Sequence, residues 1–397
     1  MTAEVRVAGV GMVPFSKPSA GERYEDMASR AIKDALGDAG VELSDVEQAY
    51  AGYVYGDSTC GQAALYGVGM TGIPVINVNN NCASGSSALW LGKQAVASGA
   101  ADVVLAFGFE QMQRGALTEH WTDRTTPLGR FLERQDVLEG GEGDAAIPMA
   151  ARMFGGAGQA HMDAFGTSAE TFARISVKAR KHAANNPNAV FRDPVTLEEV
   201  LASPAIYGPL TRLQCCPPTS GGAAVVLMSA DYAKRKGINA TVRIAGQALT
   251  SDTPDTFKGD MRYNVGYGIA VDAAAKAYAQ AGIGPEDIPV VELHDCFTTN
   301  ELISYEALGL TPEGTAEKFV MDGDNTYGGR VVTNPSGGLL SKGHPLGATG
   351  LAQCAELTWQ LRGQAGARQV EGAKTALQHN LGVGSACVVT VYQTVDA

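Results

Sequence analysis

The feature that most constrains the fold of this chain is an internal repeat. Residues 31–46 align with residues 273–288, so that Ala35 falls on Ala277 and Gly40 falls on Gly282. Each copy predicts an amphipathic helix with small residues four positions apart, ended by the glycine and followed by an acidic turn and an apolar strand. Small residues at this spacing let a helix pack closely on its neighbour. The repeat therefore predicts two related halves that pack against each other with pseudo-two-fold symmetry.

A second pair of segments extends the repeat. Cys82 aligns with His344, and after each of them a loop and a glycine open a predicted helix, which a β-rich segment follows. Strands that alternate with helices predict mostly parallel sheets covered by helices. The sequence therefore predicts an α/β fold in which Cys82 and His344 lie opposite each other at the seam between the halves.

The composition changes between the two halves. This part of the chain is helix-rich, with methionine, aromatic and basic residues, and it contains the turn-rich connector NNPNAVFRDP. We interpret it as an inserted domain, residues 113–215, that lies over the first half. The first half then comprises residues 1–112 and 216–238, and the second half comprises residues 239–397.

The charge and hydropathy of the chain argue against several kinds of partner. The net charge of -12 disfavours nucleic acid and anionic membranes, because both attract a positive surface. No apolar run approaches the ~20 residues that a membrane-spanning helix needs. The first residues lack a secretory signal pattern, and the last three are not a peroxisomal tripeptide. We therefore expect a cytoplasmic protein with no membrane span.

One of the seven cysteines lies in a setting that favours reactivity. The chain has no C-x-x-C pair, which predicts free thiols and no metal site. Cys82 lies in NVNNNCASGSSAL, where a predicted strand leads into a helix. The unpaired N–H groups and the dipole at a helix N-terminus stabilise a thiolate. The alternative interpretation is a buried structural cysteine in a tight turn.

Three further loops carry candidate residues. His344 lies in the glycine-rich loop NPSGGLLSKGHPLGATG, Asn380 and Gly382 end the predicted strand LQHNLG, and His294 and Cys296 follow the strand PVVEL. A cysteine beside a histidine makes a nucleophile with its base, and a glycine N–H can stabilise an oxyanion. The alternatives are a capping or core role for His344 and a simple turn at Gly382.

Together the four loops resemble those of the thiolase family, and more narrowly those of its sterol-carrier-protein-2 type. The resemblance covers essentially the whole chain, and its motifs are long, including HDCFTTNELISYEALGL and LQHNLGVGSACVVTVY. It implies the thiolase fold, with two pseudo-symmetric βαβαβαββ halves stacked as five layers, α-β-α-β-α. The inserted segment would be a helix-rich loop domain that covers the acyl-CoA site.

The resemblance also implies a nucleophile and two oxyanion holes. Cys82 would be the nucleophile, and His344 would activate it and donate to the thioester oxygen of the substrate. His294 stands where most thiolases have an asparagine that holds a water in the first oxyanion hole. The backbone N–H groups of Cys82 and Gly382 would form the second hole.

The acid–base role is displaced in this sequence. Most thiolases carry a second cysteine near the C-terminus, and Asn380 stands at that position here. In the sterol-carrier-protein-2 type the role belongs to the cysteine of the HDCF loop, which is Cys296. This reading leaves Asp295 without assigned chemistry, and the neighbouring pair Cys215 and Cys216 is interpreted as structural.

The implied activity is that of an acyltransferase. It would cleave a 3-oxoacyl-CoA reversibly, with CoA as a substrate and no tightly bound cofactor, in the degradation of fatty acids or sterol side chains. The basic residues Lys178, Arg180 and Lys181 are candidates for contacting CoA, and the family is usually dimeric or tetrameric.

Three alternatives to a thiolase stay open at this point. They are a thiolase-fold retro-aldolase that acts on a 3-hydroxyacyl-CoA, a decarboxylating or acyl-carrier-linked condensing enzyme, and a non-catalytic lipid-binding protein. The presence of both Cys82 and Cys296 argues against the two enzymes, because neither needs two thiols, and the intact set of four loops argues against the non-catalytic protein.

Overall fold

The computed structural model of the protein describes residues 2–115, 117, 121–141, 144 and 146–396. The strands are β1 (Val5–Met12), β2 (Gln48–Gly52), β3 (Val75–Val78), β4 (Val103–Glu110), β5 (Ala205–Tyr207), β6 (Leu210–Thr211), β7 (Gly221–Ser229), β8 (Val242–Thr250), β9 (Val290–Glu292), β10 (Val332–Thr333), β11 (Thr375–Gly382) and β12 (Ala386–Thr394). The helices are α1 (Tyr24–Ala39), α2 (Cys60–Tyr66), α3 (Ser84–Ala97), α4 (Gly129–Glu139), α5 (Met149–Phe165), α6 (Ala169–Ala183), α7 (Leu197–Ala202), α8 (Ala230–Lys236), α9 (Met261–Asn264), α10 (Tyr267–Ala281), α11 (Thr298–Ala307), α12 (Ala316–Met321), α13 (Gly338–Ser341) and α14 (Leu346–Arg362). Within the described ranges, every helix is too short or too polar to cross a lipid bilayer.

The strand order confirms the duplication that the sequence predicts. The first half has the order β1-β7-β4-β2-β3 and the second half has the order β8-β12-β11-β9-β10, so each strand has a counterpart in the other half. A short pairing of β1 with β8, at Arg6–Arg243 and Val7–Val242, joins the two sets at one edge. Each half follows the predicted βαβαβαββ order.

The expectation of mostly parallel sheets is wrong. In each half the two outer pairings are parallel, β4-β2-β3 and β11-β9-β10, whereas the pairings that involve β7 or β12 are antiparallel. The reason is local in the second half, because β11 and β12 are joined by only residues 383–385. A connection of three residues turns the chain back on itself and leaves no room for a crossover helix.

The repeated helices form the outer layers of the sandwich. Helix α1 packs on the first half-sheet, and α10 packs on the second. A Cβ atom added at Gly9 of β1 would collide with Ala35, and one added at Gly246 of β8 would collide with Ala277. The small residues of the repeat therefore meet a glycine in the underlying strand, which confirms the close packing that their spacing predicts.

The middle layer consists of α3 and α14, the helices that follow Cys82 and His344. They pack on each other and on strands of both half-sheets, which completes the five layers. A Cβ atom at Gly85 would lie 2.5 Å from the carbonyl oxygen of Gly347. Each of these glycines lies three residues after the candidate catalytic residue of its half. Their contact brings the two helix N-termini together at the seam.

The expectation that the helix-rich segment between β4 and β7 lies over the first half is wrong. Its helices α4, α5 and α6 pack on α9, α11, α12 and α13 of the second half. Phe154 and Phe172 share one apolar cluster with Leu302 and Leu339. The Thr299 hydroxyl donates to the Phe154 carbonyl oxygen at 2.9 Å. Burial of these apolar faces against α11 fixes the segment beside the loop that carries Cys296.

Candidate active site

Cys82 lies in a tight turn between β3 and α3. The turn is closed by backbone hydrogen bonds from Ala83 and Ser84 to the carbonyl oxygens of Asn80 and Asn81, at 3.1 and 3.0 Å. Asn81 has a positive φ of 52°, which asparagine tolerates better than most residues. The run of asparagines therefore forms the turn that places the Cys82 side chain at the seam, where it is 5% exposed.

The thiol form of Cys82 is the resting form. Burial, and then the negative charge of Glu110, raise the pKa of Cys82 to about 12. The backbone hydrogen bond at Cys82 lowers the pKa but is the smallest of the three effects, which argues against the stabilised thiolate that the sequence predicts. Cys82 must therefore lose its proton to a base when it reacts.

Glu110 is a buried carboxyl group that sequence reasoning missed. It accepts backbone hydrogen bonds from Tyr55 at 2.8 Å and from Gly347 at 3.0 Å, which link the first half to the start of α14. Burial raises its pKa to about 7 despite these hydrogen bonds. The signal in the sequence was an acidic residue at the end of the otherwise apolar strand VVLAFGFE.

Replacing Glu110 with glutamine is expected to make Cys82 react faster with iodoacetamide above pH 7. The Glu110 carboxylate raises the pKa of Cys82, so its removal lowers that pKa and increases the thiolate fraction. Below about pH 7, where Glu110 becomes neutral, the difference between the variant and the wild type should shrink. Alkylation rates measured by mass spectrometry across pH test this, with Glu133→Gln as a surface control. An unchanged rate at alkaline pH would contradict it.

His344 is held as a base by the first turn of α14. Its Nδ1 lies 2.7 Å from the Thr349 hydroxyl oxygen, and that hydroxyl donates its only proton to the Pro345 carbonyl oxygen at 2.9 Å. Thr349 must therefore accept from Nδ1–H, which leaves the lone pair on Nε2. Burial, and then the charge of Lys342, lower the pKa of His344 to about 3, so the ring is neutral.

Three candidate residues converge at the seam. The Cys82 sulfur and one ring nitrogen each from His294 and His344 lie within 4.8 Å of one another. The two imidazole rings are 5.1 Å apart between centroids and nearly perpendicular. The juxtaposition of Cys82 and His344 that the repeat predicts is therefore confirmed. The expected roles of these residues in catalysis remain predictions.

The same three side chains also resemble a donor set for Zn²⁺, which cysteine and histidine commonly bind. The Asn380 amide lies 3.0 Å from Nδ1 of His294, and an amide N–H that donates there leaves the ring proton on Nε2. A metal ion at this place would need an unprotonated Nε2. The hydrogen bonding therefore suits a proton donor better than a metal ligand.

Cys296 lies in the loop between β9 and α11 and is 4% exposed. Burial raises its pKa well above the usual value, and repulsion from Cys216 or Cys82 in the ionised form would raise it further. The Cys216 N–H donates to the Cys296 carbonyl oxygen at 2.9 Å, and Cys215 pairs with Phe297 in an antiparallel bridge. Cys216, read from the sequence as structural, is thus the neighbour of Cys296 on the adjoining backbone. No spacing rule signalled this contact.

Asp295 links the Cys296 loop to the loop of His344. Its buried carboxyl group accepts hydrogen bonds from the backbone N–H groups of Leu339 at 2.7 Å and Leu340 at 3.4 Å. These residues lie in α13, which directly precedes the His344 loop. Asp295 therefore holds the two loops in register, which gives a structural role to a residue without assigned chemistry.

Gly382 lies against the turn that carries Cys82. A Cβ atom at this position would collide with the Asn80 carbonyl oxygen and would lie 3.1 Å from the Ala83 nitrogen. Only glycine lets the end of β11 approach the nucleophile turn this closely. The placement is compatible with the predicted oxyanion hole of the Cys82 and Gly382 N–H groups.

The basic residues proposed for CoA lie in different environments. Lys178 is buried, forms an ion pair with Glu301 and donates to the Thr333 hydroxyl at 2.6 Å. Its ammonium group is already committed inside the protein, which argues against the expected contact with CoA. Arg180 stacks on the Phe191 ring at 4.4 Å, whereas Lys181 is exposed.

Replacing Lys178 with methionine is expected to lower the free energy of unfolding by about 3–5 kcal/mol, because Glu301 would remain buried without its partner. The Michaelis constant for CoA should not change. Denaturant unfolding and CoA titration measure the two effects. The control Lys181→Met removes an exposed charge and should alter stability by less than about 0.5 kcal/mol. A stable Lys178→Met variant with weakened CoA binding would contradict this assignment.

The comparisons with known proteins agree on one family. The chain matches the thiolase N-terminal domain over residues 5–231 and the thiolase C-terminal domain-like family over residues 256–394. Human sterol carrier protein 2 is 53% identical over 394 residues, which cover 98% of this chain and 72% of that protein.

Two solved structures extend the comparison. The Ltp2-ChsH2(DUF35) aldolase has a TM-score of 0.79 and is 26% identical, covering 98% of both chains. Human mitochondrial 3-ketoacyl-CoA thiolase in complex with CoA has a TM-score of 0.74 and is 21% identical, covering 99% of this chain and 98% of that chain. At this lower identity the likeness to the mitochondrial thiolase shows the fold alone.

Proposed function

Because this chain belongs to the thiolase family, and within it to the sterol-carrier-protein-2 type, we propose that it cleaves 3-oxoacyl-CoA with CoA through an acyl-Cys82 intermediate. The observation that carries the proposal is the convergence of Cys82 with His294 and His344 within 4.8 Å. This arrangement supplies a nucleophile, a base and a hydrogen-bond donor at one point of the seam.

In the first half-reaction, His344 Nε2 takes the Cys82 proton and the sulfur attacks the 3-oxo carbon. The alkoxide that forms is stabilised by the backbone N–H groups of Cys82 and Gly382. Its collapse breaks the bond between C2 and C3, leaving an acyl group on Cys82 and an enolate of the departing CoA thioester. His344, now protonated, and His294 donate hydrogen bonds to the enolate oxygen. Cys296 then gives its proton to C2.

In the second half-reaction, the Cys296 thiolate takes the proton of an incoming CoA thiol. The CoA sulfur attacks the acyl-Cys82 carbonyl, and the thioester bond to Cys82 breaks. The Cys82 thiolate recovers its proton from His344, which restores the resting state. The raised pKa values of both thiols support this sequence, because each starts as the protonated form that the scheme needs.

The proposed substrates are 3-oxoacyl-CoA thioesters with long or branched chains, including sterol side chains. The 53% identity to human sterol carrier protein 2 supports the sterol-related part of this class, because the name of that relative refers to sterols. A series of 3-oxoacyl-CoA substrates that differ in length and branching tests it, with CoA-dependent product formation as the readout. Efficient turnover of acetoacetyl-CoA alone would overturn the proposed chain preference.

A retro-aldolase is the second candidate, and the likeness to the Ltp2-ChsH2(DUF35) aldolase favours it. An aldolase would cleave a 3-hydroxyacyl-CoA without an added thiol, whereas the proposed thiolase needs both the 3-oxo group and free CoA. Parallel assays of 3-oxo and 3-hydroxy substrates, each with and without CoA, separate the two. Cleavage of the 3-hydroxy substrate alone, independent of CoA, would replace the proposed function.

We also propose that the protein acts as a homodimer or homotetramer built on the first half. Strand β3 lies at the end of the sheet order, and its Ile76 is 45% exposed. An edge strand with an exposed apolar side chain is a surface that a second copy could cover.

A further inference from the structure

The hydrogen bonds of His294 decide what its ring can do. Its Nδ1 lies 3.0 Å from Nδ2 of Asn380, and both side chains are fully buried. Its Nε2 is buried and has no hydrogen-bond partner among the described residues. Burial lowers the pKa of His294 well below its usual value, and repulsion from His344 or His379 in the protonated form would lower it further, so the ring is neutral. A neutral ring donates from only one nitrogen, and the Asn380 amide determines which one.

The orientation of the Asn380 amide is set by a chain of buried groups that starts at a backbone carbonyl. The Gly350 carbonyl oxygen can only accept, so the group of Gln378 that lies 2.7 Å away must be its amide N–H₂. The other end of that amide, Oε1, accepts from the Tyr392 hydroxyl at 2.5 Å. The Gly350 contact fixes the orientation of Gln378, and the Tyr392 contact is compatible with it.

The chain continues through Ser86 of α3. The Gln378 amide nitrogen donates to the Ser86 hydroxyl oxygen at 2.9 Å, so the only Ser86 hydroxyl proton points to Oδ1 of Asn380 at 2.8 Å. The Asn380 N–H₂ group is thereby turned toward His294 Nδ1. A Cβ atom at Gly350 would collide with the Ser86 hydroxyl, so the chain depends on a glycine at that position.

We infer that Ser86, Gln378 and Asn380 are positioning residues that hold His294 as the Nε2–H tautomer, aimed at the enolate oxygen. This inference rests on the proposed function for the identity of the acceptor, but the tautomer itself does not. His344 is held in the opposite state by Thr349, with the lone pair on Nε2. The two histidines therefore have different roles. His344 accepts the Cys82 proton, and His294 is a hydrogen-bond donor from the start of the reaction.

The direct test is the nitrogen NMR spectrum of the wild-type protein with isotope-labelled histidine. The His294 signals are assigned by comparison with a His294→Gln variant. The expected result at neutral pH is a protonated Nε2 and an unprotonated Nδ1 for His294, with the reverse pattern for His344. A protonated Nδ1 on His294 would overturn the inference. This measurement needs no activity. If the protein shows the expected tautomers but does not cleave 3-oxoacyl-CoA, the tautomer assignment stands and the proposed function is wrong.

A variant adds a functional readout. In Asn380→Asp the ionised side chain offers only acceptors, so His294 should carry its proton on Nδ1 and leave Nε2 without one. We expect kcat to fall by roughly 10²–10³-fold, the usual cost of one oxyanion donor, with little change in the Michaelis constant. Ser86→Ala, which frees the Asn380 amide, should show a smaller fall and a mixture of tautomers. An Asn380→Asp protein with wild-type kcat and an unchanged spectrum would contradict the relay.

Discussion

Replacing Cys82 with alanine is expected to abolish acyl-enzyme formation and to lower the rate of 3-oxoacyl-CoA cleavage by on the order of 10⁴-fold or more. The reason is that Cys82 is the thiol that lies within 4.8 Å of both seam histidines, and alanine leaves no atom to carry the acyl group. The measurements are the steady-state rate of thiolysis and the intact mass after incubation with substrate.

The matched control is Cys60→Ala, which removes another buried thiol, at the start of α2. It should keep the acyl-enzyme and most of the activity, because Cys60 lies in a separate apolar cluster of the first half. Equal losses in the two variants would mean that the effect reflects packing and not nucleophilic attack. An undiminished rate in Cys82→Ala would exclude the covalent mechanism.

Replacing Cys296 with alanine is expected to give a protein that is slowly acylated but does not turn over. The first half-reaction would lack the proton for C2, and the second would lack the base that activates CoA. General acid–base groups typically contribute 10²–10⁴-fold, and here one thiol would serve twice, so a loss of about 10⁴-fold in kcat is expected. The acyl-enzyme should persist long enough for detection by intact mass.

Cys216 provides the control that this prediction needs. It lies beside Cys296 on the adjoining backbone, and after burial an ionised Cys216 is the next largest influence on the pKa of Cys296. Cys216→Ala removes a thiol at nearly the same place and should keep turnover. If Cys216→Ala lost activity while Cys296→Ala retained it, the acid–base role would have to move to Cys216.

The duplicated architecture could be predicted from the sequence because it rests on local patterns. The repeat of small residues at Ala35 and Ala277 gave the two outer helices, and the glycines at 85 and 347 mark the contact between the inner ones. The relative direction of the paired strands could not be predicted in the same way. Alternation of strands and helices does not show that β7 and β12 return antiparallel, since this depends on how the last two strands of each half are connected.

The residues of the candidate site also differ in whether the sequence could reveal them. Cys82 and His344 were found because each lies in an asparagine- or glycine-rich loop at a repeat-related position, and His294 because it follows the predicted strand PVVEL. Glu110 and Cys216 were missed, because their importance comes from contacts between segments far apart in the chain.

Lys178, in contrast, was named as a candidate for contacting CoA, and its position in the fold argues against that role. Its place on a basic helix suggested a surface that binds phosphate, but the fold turns it inward onto Glu301. A sequence does not reveal which face of an isolated amphipathic helix another element will cover.

The proposed mechanism depends above all on Cys82 carrying the acyl group of the substrate. The most direct test is to mix the wild-type protein with a long-chain 3-oxoacyl-CoA in the absence of free CoA and to map the modified peptide by mass spectrometry. The proposed mechanism predicts release of the shortened CoA thioester, an acyl group on the peptide that contains Cys82, and its removal when CoA is added. Product formation without any adduct, or an adduct on a different residue, would contradict it.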